Sequence, residues 1–509
     1  MITRRVLMIA ASLLVCFTLP SLAQESKGIP APSPVATAQD SSTATSAPER
    51  TNKIANVAKT SNPVNTSKQQ ATKSTSETVF RIGWDQRWRN EEWNNITDYS
   101  DHKDDERAQN TFRQRFWVSA PLFQGNTELY FRILNQFVKQ EKNGALTPAQ
   151  LKLNSGEWIF DNLSLNFKKT PIDGLSMKIG RQDLMFGEGF LIMDGSGAEG
   201  PRTSYFNAVD FTYVRKKSKF DLLGILNPRR DRFLPKLHNM HTVLDEWDQQ
   251  AVGLYYTDRN RKGFDWDAYY FLKKEIHDYR PASNLQFQPD RHVNTLGARA
   301  VKALPNGFTV TGEFAYQWGA QHANPVLSRP AQDIRAWGGY FYGKKQFNVK
   351  MKPYLLAGYW ALSGDDGNSA GTYEGFDPLF SRWPKWSGGY VFSQIPEKGI
   401  GYWTNLRMPQ FEAGFTPVKP LTIKGIVYFM DAFHPFTMTN NTAVFGKGTH
   451  RATMPEIFAM YKFSDKVAGE FRYEVMNAGD FYTVGNKGQY FRFEINYSWK
   501  KSLDFGKTQ

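Results

Sequence analysis

The chain has 509 residues, 40% hydrophobic, 15% aromatic and 22% charged. No apolar run near the ~20 residues of a spanning helix occurs beyond the N-terminus, which excludes a helical membrane bundle; the 14 Trp, 23 Tyr and 38 Phe exclude a wholly unstructured chain. Cys16 is the one cysteine, so there is no disulfide framework and no cysteine zinc site, and 63 Lys and Arg against 49 Asp and Glu, net +14, favour anionic partners.

Residues 1–23 read as an export signal. Arg4 and Arg5 form a basic start, Val6 to Leu19 an apolar core too short to span, and Ser21-Leu22-Ala23 a small-x-small cleavage site. A lipoprotein alternative would cleave at Cys16, where bulky Val15 and Phe17 disfavour it. Residues 24–79 are rich in Ser, Thr, Ala, Pro, Asn, Gln and Lys, and are expected to be an unstructured periplasmic linker. As a coil that segment would reach about 40 Å. A tethering or peptidoglycan-binding role is the alternative to a plain leader. The leader and the linker each carry a net +2, which leaves +10 on residues 80–509.

From Phe80 onward, alternation of period 2 dominates. Residues 80–89 have one mainly apolar face, with Arg81, Asp85, Arg87 and Arg89 on the other. In 111–120, Phe112, Phe116, Val118 and Ala120 oppose Arg113 and Arg115. Residues 468–475 and 490–499 alternate cleanly, with Glu470, Arg472 and Glu474, then Arg492 and Glu494, on the polar face. Weaker alternation is found at 128–138, 162–168, 205–215, 264–273, 308–318, 350–361 and 421–430. A soluble sandwich or propeller would give such strings, and so would a transmembrane barrel. Aromatics at segment ends (Trp84, Trp88, Trp93, Tyr213, Trp266, Tyr269, Tyr270, Trp499) favour the barrel, as do arginines on the polar faces. So does the alternation of tight turns (171–174, 304–307) with long Gly-rich connections (188–204, 363–400). The fold expected is an all-β, antiparallel, up-and-down transmembrane barrel over 80–509, with about 18 strands (roughly 16–18).

Certain stretches then resemble a known family, the alginate-export outer-membrane barrels. Met177-Lys178-Ile179-Gly180-Arg181-Gln182-Asp183-Leu184-Met185-Phe186-Gly187 is similar to its strand ending in Gly-Arg-Gln-acid, and 201–209 to the opening of the next strand. Arg87-Trp88-Arg89 and Arg113-Gln114-Arg115 resemble its first Arg-x-Arg pairs. Ser363-Gly364-Asp365-Asp366 with 375–380 resembles its long-loop signature. Two departures are Met454-Pro455-Glu456 in place of Gly-x-Glu, and a tail continuing past the last aromatic strand to Gln509. The resemblance implies a channel in the outer membrane of a Gram-negative bacterium, with alginate-like polysaccharide as cargo.

The expected pore lining and substrate contacts are Arg81, Arg87, Arg89, Arg113, Arg115, Arg132, Lys350, Lys352, Arg407, Arg472 and Arg492 on polar faces. Arg181 joins them by motif, since the strand bends near Gly180. Polar-face acids are Asp85, Asp210, Glu313, Glu470, Glu474 and Glu494. Basic side chains in a low-dielectric pore concentrate anions, and an Arg fork holds a carboxylate bidentately. The competing reading is a salt-bridge ladder that only stiffens the wall; a second is Lys and Arg binding lipopolysaccharide phosphates at the outer rim.

Chemistry is not expected. His238-x-x-His241 lacks a third ligand, Asp365-Asp366-Gly367-Asn368 lacks calcium-loop spacing and reads as an Asx-type turn, and no nucleophile-elbow or phosphate-loop motif occurs. The expectation is a monomeric, non-enzymatic channel without cofactor or metal. Its partners would be an anionic polysaccharide or small anionic solute, outer-membrane lipid and lipopolysaccharide, and periplasmic export proteins; nucleic acid is not among them. Alternatives are an uptake porin for small anions or sugars, and a secreted β-rich carbohydrate-active enzyme or adhesin. Gly187–Gly200 is read as an external or lumen-folded gating loop.

Overall fold

The computed structural model describes residues 79–95, 99, 105–143, 154–193, 206–235, 237, 248–276, 290–323, 330–369, 371–381, 404–435 and 445–504. The leader and nearly all of the linker lie outside them, as do His238, His241, residues 194–200 and the last five residues.

Nineteen strands follow in chain order: β1 Val79–Asn94, β2 Arg107–Leu122, β3 Thr127–Asn143, β4 Asn154–Phe167, β5 Leu175–Gln182, β6 Phe206–Arg215 and β7 Ser218–Asn227. Next come β8 Asp248–Arg261, β9 Phe264–Ile276, β10 Arg291–Ala303, β11 Phe308–Gln321, β12 Gln332–Gln346 and β13 Tyr354–Leu362. The last are β14 Thr372–Tyr373, β15 Leu406–Val418, β16 Leu421–Asp431, β17 His450–Lys462, β18 Val467–Ala478 and β19 Lys487–Asp504. The two-residue β14 pairs in parallel with β12 beyond the end of β13, while β13 pairs directly with β15. Eighteen strands therefore form the wall, each antiparallel to its neighbours, and β19 closes on β1 from Val79↔Asp504 to Asn94↔Gln489. This is the architecture the alternation predicts.

Closure follows from the pattern. A sheet with an apolar outward face in lipid can leave no unpaired edge, so the first and last strands must meet. Val252, Leu296, Phe314 and Ile457 leave more than half of their surface exposed on that outward face. So many exposed apolar side chains demand an apolar solvent. Trp84, Tyr213 and Phe220 lie outward toward the short-turn end, Trp158, Trp318 and Trp337 toward the other. Trp93 and Tyr269, two of the aromatics read as membrane girdle, instead turn inward and are buried.

Connections alternate strictly. Eight short turns lie at the end where Val79 and Asp504 emerge, and nine longer connections at the other. The Gly-Arg-Gln motif closes β5. Gly180 has φ +120°, and a Cβ there would sit 2.3 Å from the Leu163 carbonyl oxygen. Only glycine fits this bend without strain, which explains why alternation fails beside it.

Three sequence expectations are corrected here. Lys350 and Lys352 do not open a strand: they lie exposed in the 347–353 turn, where Met351 and Lys352 have positive φ, and β13 starts only at Tyr354. Arg407 is not in the lumen either. On β15 the buried, inward side chains are Leu406, Met408, Gln410 and Glu412, so Arg407 points outward, its guanidinium 5.9 Å from the Phe433 ring. The reason is register: a basic residue near a strand end is as well solvated at the rim as in the pore.

Candidate functional site: the lumen

One lumen wall is organised by charge. Parity along β1 directs Arg81, Asp85, Arg87, Arg89 and Glu91 inward, and the registers of β2 and β19 bring Arg113, Arg115, Arg492 and Glu494 alongside. Arg89 donates from Nε to Glu494 at 2.7 Å and lies 3.6 Å from Glu91. Glu91 accepts from Arg492 at 2.8 Å and from the Tyr490 hydroxyl at 2.7 Å. The ladder continues on β18, where Arg472 meets Glu470 at 3.1 Å and Glu456 of β17 at 3.6 Å. On the other flank Arg115 lies 3.6 Å from Asp85. Arg132 of β3 then donates to Asp161 at 2.9 Å and to Asp183 at 3.1 Å. Most of these side chains are buried among one another, so the stripe is a desolvated network in which a charge that loses its partner is costly.

Several rows bring like charges face to face. Arg87 and Arg113 are direct register partners between β1 and β2, as are Arg472 and Arg492 between β18 and β19. Glu470 and Glu494 also face each other. Like charges directly opposite oppose strand pairing, so the diagonal ion pairs must offset them.

The opposite wall is organised by two loops that fold inward. After β5, Phe186 stacks on Tyr255 of β8 at 4.5 Å, and Phe190 stacks on Phe376 at 5.4 Å and meets Tyr340 edge-on. Glu188 accepts from the Tyr342 hydroxyl at 2.8 Å and lies 3.3 Å from Arg299. From the β13–β15 connection, Asp377 pairs with Arg291 at 2.6 Å, and Lys273 donates to the Leu379 carbonyl at 2.7 Å. The loops also join each other, Phe380 N–H donating to the Leu191 carbonyl at 3.0 Å and Ser381 bonding to Gly189. Glu313 lies beneath, accepting from Tyr269 at 2.9 Å and Tyr340 at 2.7 Å. The described part of Gly187–Gly200 is thus lumen-folded. Asp365 and Asp366 serve the same connection: Asp366 caps the Asn368 amide and Asp365 accepts the Glu374 amide, an Asx-type turn.

The sequence-assigned residues separate cleanly. Arg87, Arg89, Arg113, Arg115, Asp85, Arg132, Arg472, Arg492, Glu470, Glu474 and Glu494 come together on the charged wall. Glu313 belongs to the loop-covered wall, Arg81 is exposed near the short-turn mouth, and Asp210 faces the lumen near Lys178. Arg181 does structural duty at the rim: it donates to the Phe160 carbonyl and Asn207 Oδ1, and pairs with Asp231 at 2.9 Å. Glu91 was legible, since it continues the parity of Arg87 and Arg89. Glu456 was masked by Pro455 beside it, and Glu188 and Asp377 have no local signal because loops give no period.

Among curated proteins no sequence relative matches. In fold, the chain resembles OccK5 (OpdH) of Pseudomonas aeruginosa, with a TM-score of 0.50 and 10% identity over 83% of this chain and 98% of that one. It also resembles OccAB4 of Acinetobacter baumannii, with a TM-score of 0.51 and 10% identity over 84% and 100%. The model of the family described as alginate export matches residues 158–491, including the Gly-Arg-Gln strand, both inward loops, β17, β18 and the start of β19. The chain therefore belongs to the alginate-export family, and it is a β-barrel channel of the Gram-negative outer membrane.

Proposed function

We propose that the channel passes an anionic, uronate-type polysaccharide, or a related anionic solute, by diffusion along its arginine wall, as a monomer and without chemistry. The observation that carries this is the Arg87–Arg113 row, two arginines that are direct register partners on the lumen face of β1 and β2 between the ion pairs Arg89–Glu494 and Arg115–Asp85. A wall built only for stiffness gains nothing from such a row. A conducting wall gains a local positive field from this buried row, which draws a passing carboxylate to the more accessible Arg115 and the exposed Arg81 beside it. The carboxylates woven through the ladder keep that hold weak enough for release.

The test is the reversal potential of refolded protein in planar bilayers under a salt gradient. Anion selectivity is expected, reduced in Arg113→Ala/Arg115→Ala, with block by soluble polyuronate. Cation selectivity would overturn the arginine mechanism.

A further inference from the structure

Acids match bases closely in the ladder, and the two ends of the barrel differ in their charge. The eight short turns carry nine basic residues against two acids, and all nine basic residues are exposed. Lys168 and Lys169, Lys216 and Lys217, and Lys350 and Lys352 come as pairs on three of those turns. Beyond the tips the charge continues into the mouth with Lys344 and Lys500 at lumen-parity positions on their strands, where Lys219 and Lys462 also lie, paired with Asp221 and Asp465. Among the described residues of the nine longer connections the balance reverses: 11 are acidic and four basic, and of the acids Asp183, Glu188, Asp231 and Asp377 pair with strand arginines. The two ends therefore differ in sign, by +7 at the turns and, leaving out those four paired acids, −3 across the described residues of the longer connections.

Both described chain ends emerge with the short turns, which in outer-membrane barrels lie on the periplasmic side. We infer that the turn lysines form a collar that captures an anionic polymer arriving from the periplasm, so that the channel's electrostatics favour outward passage. This rests on the anionic-cargo reading above and adds direction to it. A basic mouth raises the local concentration and capture rate of a polyanion, and an acidic exit weakens its hold once it has crossed. Binding of phospholipid headgroups would account for lysines at the rim but not for their continuation into the lumen, nor for the opposite sign at the far mouth. Nor does the charge fit lipopolysaccharide phosphates, which would call for bases at the acidic end.

The collar is tested with full-length protein inserted in one orientation in a planar bilayer, with a polyuronate of defined length added to one side at a time. The on-rate of block from the turn side should exceed that from the loop side by about tenfold at low salt, and the two should converge in molar salt. In a variant with Lys168, Lys169, Lys216, Lys217, Lys350 and Lys352 replaced by Gln, the asymmetry should vanish; heat-modifiable gel mobility shows that its barrel has closed. Equal on-rates from both sides, or an asymmetry the variant retains, overturn the collar while leaving anionic cargo intact. Absence of block from either side overturns the cargo reading itself. Loss of binding to anionic phospholipid vesicles with unchanged asymmetry assigns the lysines to lipid instead.

Discussion

The two walls of the lumen solve the same problem by different means. On β17–β19 and β1–β4, polar side chains facing away from lipid satisfy one another across neighbouring strands, as Arg89 does with Glu494 and Arg132 with Asp161. On β8–β13 the inward aromatics Tyr255, Tyr269, Phe271, Tyr340 and Trp360 stand among small and charged residues, and loop residues from far along the chain cover them, as Phe186 covers Tyr255 and Asp377 reaches Arg291. The first wall is stabilised by register, so it is as rigid as the sheet. The second depends on docking of segments outside the sheet, and such segments can leave with the barrel still closed. A ladder fixed by register beside a cover docked from loops divides the lumen into two walls that should respond differently to mutation.

This contrast can be broken most severely at Glu494. Glu494→Ala leaves the buried Arg89 guanidinium without its 2.6 Å partner, and should cost about 3–5 kcal/mol, read from unfolding of the detergent-solubilised barrel. Arg89→Met/Glu494→Leu should recover most of the loss, because the uncompensated charge, and not the absent pair, is what destabilises. The loop wall should respond differently. Phe186→Ala/Glu188→Ala should weaken loop docking by about 1–3 kcal/mol and raise single-channel conductance, while the global unfolding midpoint moves little. If the midpoint falls as far as in Glu494→Ala, the two walls are not separable. A smaller effect is expected from Arg132→Lys, which keeps the charge but loses the fork that serves Asp161 and Asp183 together; about 1–2 kcal/mol should be lost. The smallest belongs to Arg407→Ala, outside the lumen, with stability within about 0.5 kcal/mol of the parent and an unchanged reversal potential.

Much of the charged wall was legible because its determinants are local. A strand that shows one face to lipid and one to water must alternate, so Arg113 and Arg115, or Arg472 and Arg492, declare their side within a few residues. Where both faces carry aromatics the contrast fades. In β12, Ile334, Trp337, Tyr340 and Phe341 lie on both faces, and in β10 the inward Thr295 and Gly297 are small, so neither strand stood out. Strand ends mislead for a related reason: Lys350, Lys352 and Arg407 satisfy their hydration at a turn or rim as easily as in a pore.

By itself, then, the amino-acid order determined the barrel, its strand number, the alternation of turns and longer connections, and the parity of the ladder. All are consequences of a two-residue period imposed by two solvents. Only the tertiary structure decided which charges meet and which wall the loops cover. It also decided that nine exposed turn lysines gather at a single mouth. Those outcomes depend on register between strands up to 405 residues apart, as for Arg89 and Glu494, and on closure of the sheet, which brings the first strand beside the last. No local pattern encodes either one.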